Sequence, residues 1–64
     1  MEQIFEGTIL KLFNPRSIQF AKKKGVLDTF RLHSSITDEE VNDVIGNTVT
    51  ITVLDNEVIS IDRT

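Results

Sequence analysis

The chain has 64 residues, 39% hydrophobic and 27% charged, with a net charge of −3. That is globular composition with room for one domain, 1–64, and a thin core, since a chain this small buries only about 60% of its unfolded surface. The lack of cysteine excludes disulfides and thiolate metal sites, and no apolar run approaches the roughly 18 residues of a membrane span. Met1-Glu2-Gln3-Ile4-Phe5-Glu6 lacks the basic-then-apolar pattern of a secretory leader, so a cytoplasmic location is expected.

The elements follow a period of two over most of the chain. Residues 4–13 read as a first strand interrupted by Gly7, where a glycine marks a bulge or a close backbone approach. Asn14-Pro15-Arg16-Ser17 is a turn, and Ile18–Ala21 a second strand. Lys22-Lys23-Lys24-Gly25 forms a charged tip with Gly25 suited to positive φ, and Val26–His33 is a third strand, hairpinned to the second. Ser34–Gly46 reads as one short helix. Ser35 or Thr37 is its N-cap, Thr37 and Glu40 have capping-box spacing, Val41, Val44 and Ile45 form an apolar stripe, and Gly46 is the residue after its end. Thr48–Val53 alternates threonine with Val49, Ile51 and Val53, which face a core. Asp55-Asn56-Glu57 is a tight turn before a last strand, Val58–Ile61.

Five strands in so short a chain cannot build two full sheets. A closed barrel buries one face and hides the edges. The expected fold is therefore all-β: a small five-stranded Greek-key barrel of the oligonucleotide/oligosaccharide-binding (OB) type, with one short helix between strands 3 and 4. An SH3-like barrel is the competing plan.

The residue types argue against an enzyme. His33 is the single histidine, and beside Ser34 and Ser35 it finds no third member of a triad. One histidine cannot make a zinc site. The acids at 38, 39, 40 and 43 lack the spacing of a calcium loop and read as a solvated helix face. No metal or cofactor is expected.

Charge and aromatics carry more content. Residues 1–34 hold six of the seven lysines and arginines against three acids; residues 35–64 hold Arg63 alone against seven acids. All four phenylalanines (Phe5, Phe13, Phe20 and Phe30) lie in the basic half. Stacked aromatics beside cations are what single-stranded nucleic acid requires. Phe20 and Phe30, flanked by polar or small neighbours, are the expected surface rings, set side by side by the hairpin.

On these residues the chain resembles the cold-shock domain, an OB barrel that binds single-stranded RNA and DNA. Gly7 and Lys11-Leu12-Phe13-Asn14 stand where that family has glycine and Lys-Trp-Phe-Asn. Arg16-Ser17-Ile18-Gln19-Phe20-Ala21 takes the place of its first ribonucleoprotein motif, and Asp28-Thr29-Phe30-Arg31-Leu32-His33-Ser34-Ser35-Ile36 that of its second. The tryptophan is absent, its place taken by Lys11 or Leu12. Ile18 replaces an aromatic, and Ser17 and Gln19 replace the motif glycines. The resemblance implies that Phe20, Phe30 and His33 stack bases, with Leu12, Phe13 and Ile18 as apolar contacts. Lys11, Arg16, Lys22, Lys23, Lys24 and Arg31 would meet phosphates.

Two functions are expected in turn. The first is weak, sequence-indifferent binding of single-stranded RNA or DNA on strands 1–3. The second is a degenerate barrel that has lost this binding and contacts a protein partner through exposed Ile18 and Leu12 and the acidic helix 37–43.

Overall fold

The computed structural model describes residues 1–13, 16–23 and 25–63. The chain runs β1 (Glu2–Phe13), β2 (Ser17–Lys22), β3 (Leu27–Leu32), α1 (Asp38–Val44), β4 (Thr48–Leu54) and β5 (Glu57–Arg63). The strands close a barrel in the order β1-β2-β3-β5-β4, with β4 returning to β1. Every seam is antiparallel except β3–β5, a short parallel contact pairing Arg31 with Glu57 and Leu32 with Val58. This is the expected OB-type Greek-key barrel, with its helix between β3 and β4.

Alternation dictates the core. Ile18 and Phe20 from β2, Phe30 and Leu32 from β3, Val49, Ile51 and Val53 from β4, and Val58 from β5 all point inward, joined by Ile9, Ile36, Val41 and Val44. As expected, the threonines of β4 point away from this core. Gly7 fulfils the second of its two sequence readings. A Cβ there would lie 2.1 Å from the Ala21 carbonyl oxygen, so the β1 and β2 backbones approach as only glycine permits. Asp55 and Asn56, at φ 51 and 65, form a two-residue hairpin loop closed by Leu54 and Glu57, the positive-φ turn that matches strand twist.

The helix is shorter than its sequence pattern. Thr37, not Ser35, is the N-cap and accepts the Glu40 N–H at 3.2 Å. Ser34–Ile36 form a turn instead, because Ile36 drops into the core. Val41 and Val44 are buried as the stripe requires, but Ile45 is exposed at the helix end. Gly46, at φ 86, then donates its N–H to the Ile9 carbonyl and ties the helix end to β1. Gly25 takes the positive φ expected of it. Asn14 and Pro15 of the first expected turn, and Lys24 of the charged tip, lie outside the described residues.

Candidate nucleic-acid interface

β1 changes its inward side partway along. Phe5, Gly7 and Ile9 face the core; then the register with β2 slips between Ile9 and Lys11, so that Leu10 is an extra residue in a β-bulge. Beyond it, Leu12 packs against the core while Lys11 and Phe13 point out. Without the bulge the alternation from Ile9 would carry Lys11 and Phe13 inward. Leu10 is 41% exposed and Phe13 39%.

The outward residues of the three strands then align in rows. Thr8, Ala21 and Leu27 form one; Lys11, Gln19 and Thr29 the next; Phe13, Ser17 and Arg31 the third. Phe13 and Arg31 stand about 10 Å apart across two strand spacings. Among these residues the charges are Lys11 and Arg31, with no acid. Neither cation forms an ion pair among the described residues. The nearest acid across a seam is Glu57, paired in register with Arg31 on the β3–β5 side.

Several expected contacts are elsewhere. Ile18 and Phe20 are fully buried and Phe30 nearly so, which corrects their placement on the surface. Phe30 pairs in register with Ile18, not Phe20, and its ring stacks on Phe5 at 5.7 Å and tilts against Phe20 at 6.3 Å. The reason is supply. β2 offers one apolar side, Ile18 and Phe20; turning it outward would push Ser17 and Gln19 into the core, where their polar groups need partners. Small or polar neighbours therefore mark the opposite face of the strand, not the exposure of the ring between them. The same burial removes Ile18 from the expected protein-contact surface, and Leu12 is only half-exposed.

Three other cations of the expected set, Arg16, Lys22 and Lys23, are spent within the fold. Arg16 pairs with Asp38 at 2.9 Å and donates to the carbonyls of His33, at 3.0 Å, and Ile36, so it ties the segment before β2 to the loop before α1. Lys22 reaches Asp28 at 2.6 Å and lies 4.3 Å over the Phe5 ring, covering one end of the core. Lys23 meets Glu6 at 3.2 Å. His33 is half-buried, its Nδ1 accepting the Ser35 N–H at 3.0 Å with Ser35 Oγ at 2.9 Å. This serine–histidine contact belongs to a local turn. Among the described residues no acid pairs with the ring to orient it as a base.

No family model, curated protein or solved structure matches the chain. The face therefore rests on its own geometry. It keeps Lys11, Phe13 and Arg31 from the sequence-derived set and adds Leu10, Gln19, Leu27 and Thr29. The last three follow from alternation once Ile18, Phe20 and Phe30 are assigned inward. Leu10 also leaves a trace, because the doublets Ile9-Leu10 and Leu12-Phe13 break the period of two.

Proposed function

We propose that the outer side of β1–β3 binds single-stranded nucleic acid weakly and with little base preference, in a non-enzymatic barrel that is a divergent relative of the cold-shock domain. The observation that carries this reading is the group of outward residues beyond the bulge: Lys11 and Arg31, without an ion pair among the described residues, with the Phe13 ring in the same sheet, while Glu6, the outward acid earlier on β1, is held by Lys23. Phe13 stacks one base, Lys11 and Arg31 meet phosphates, and Gln19 and Thr29 offer hydrogen bonds between them. One ring and two cations make the contact weak.

The burial of Ile18, Phe20 and Phe30 favours a second reading, a barrel that meets a protein through α1. Asp38 is committed to Arg16, so Glu39, Glu40 and Asp43 would form that surface. Fluorescence anisotropy of labelled octathymidylate separates the two. Measurable binding that weakens in Lys11→Gln and Arg31→Gln supports the first. Binding indifferent to both substitutions, or absent at low salt, rejects it and favours the second.

A further inference from the structure

The β3–β5 seam pairs only Arg31 with Glu57 and Leu32 with Val58. The first half of β3 therefore has β2 on one side and, among the described residues, no strand on the other. The register fixes which backbone groups face that open side. The Lys22 N–H donates to the Val26 carbonyl and the Leu32 N–H to the Arg16 carbonyl, each at 2.8 Å, and the pairing between these ends is unbroken. In an antiparallel ladder alternate residues bond to the same neighbour. Val26, Asp28, Phe30 and Leu32 thus bond to β2, and Leu27, Thr29 and Arg31 turn their N–H and C=O groups away from it. The Arg31 N–H meets the Asn56 carbonyl at 3.2 Å. Leu27 and Thr29 lie before the seam begins, and both are exposed. Leu27 and its neighbour Val26 are each 54% exposed, so the open edge is apolar where it starts. Asp28 points to the other side of the sheet and is held by Lys22 at 2.6 Å.

An open row of N–H and C=O groups is satisfied by another extended backbone. A second copy brings the same row, and two-fold antiparallel pairing satisfies both copies at once. Three registers set outward-bonding residues opposite each other. Leu27 against the partner's Thr29 also sets Asp28 against the partner's Asp28, and like charges directly opposed are destabilising. Thr29 against the partner's Thr29 sets Leu27 against the partner's Arg31, whose N–H is already bonded. Leu27 against the partner's Leu27 has neither fault. It puts Asp28 beside the partner's Val26 and packs the two exposed leucines together. We propose that β3 is a self-association edge, along which two copies pair antiparallel about Leu27 and join their barrels into one sheet. Opposed residues of such a pair point the same way, so the outer faces of both copies lie on one side. The contact is far smaller than the roughly 1,200 Å² of a stable interface, so the pair is transient and populated only in concentrated protein. The pairing holds whatever the outer face binds.

Sedimentation equilibrium of the chain without nucleic acid tests it, with ¹⁵N spectra over the same range of protein concentration. The apparent mass should climb from that of the monomer toward twice that value at millimolar protein, and the Leu27 and Thr29 amides should shift as it climbs. Leu27→Pro removes an N–H that faces the open edge and leaves the β2–β3 bonds in place, as proline on an edge strand does; this variant should stay a monomer. Leu27→Lys keeps every backbone group but sets two lysines opposite each other, so it should weaken the association several-fold at low salt. It decides the matter alone if Leu27→Pro does not fold. A mass that stays monomeric at millimolar protein overturns the proposal. So does an association that the folded variants leave unchanged, or one whose shifts gather on α1 or β4 and spare β3.

Discussion

Phe13 and Phe20 have opposite roles, although both sit in strands of the basic half. Phe20 is fully buried, so Phe20→Ala should cost about 3–5 kcal/mol. A domain of this size holds only about 3–10 kcal/mol in total; urea denaturation should show the variant largely unfolded or near its limit. Phe13 is 39% exposed, so Phe13→Ala should keep the fold and lose about 1–3 kcal/mol of oligonucleotide binding. A reversal of these two results would place the rings the other way round. Gly7→Ala would put a methyl group against the Ala21 carbonyl, and neither backbone can yield cheaply. A loss of about 1–3 kcal/mol is expected, read from the urea midpoint. Gly7 was legible from its place inside a strand. The burial of Phe20 is not legible from its polar and small neighbours, because in a strand they occupy the other face.

The bulge at Leu10 sets the orientation of half of β1, and with it the binding face. Deleting Leu10 should remove the bulge yet leave Ile9 opposite Phe20 and Lys11 opposite Gln19, so that regular alternation keeps Leu12 inward and Lys11 and Phe13 outward. The expected result is a retained fold, read from the urea midpoint, and retained oligonucleotide binding; a collapse of the midpoint would mean that β1 cannot close on β2 without the extra residue. At the helix, Thr37→Ala removes the acceptor of the Glu40 N–H and should cost about 0.5–2 kcal/mol, again measured in urea. The cap was legible from Thr37-Asp38-Glu39-Glu40. The non-helical turn before it was not, because its carbonyls are taken by Arg16 from the far side of β2 and β3. Partners so distant in sequence leave no local pattern. The strands of β4 and β5 were the most legible part, since alternation of β-branched residues and a two-residue turn act over short range.

Across the whole molecule, closure and charge act together. The barrel puts the first three strands side by side, so the basic half of the sequence shares one surface, while the acids of α1 fall elsewhere and Glu57 of β5 borders it beside Arg31. The asymmetry was visible in the sequence; its strength was not. Arg16, Lys22 and Lys23 are drawn into pairs with Asp38, Asp28 and Glu6, which leaves Lys11 and Arg31, among the described residues, as the cations of this face without an ion pair. Exposed pairs of this kind add little stability, but they withdraw positive charge from any ligand. With two phosphate contacts near pH 7.5, log affinity should fall with log salt at a slope of about −1.4. The most direct test of the face is an NMR titration of the labelled protein with octathymidylate at low salt. The account predicts shifts at Leu10, Lys11, Phe13, Gln19, Thr29 and Arg31 that fade as salt rises, with Val49, Ile51 and Val53 unmoved. No shifts at millimolar ligand, or shifts gathered on α1, would contradict it.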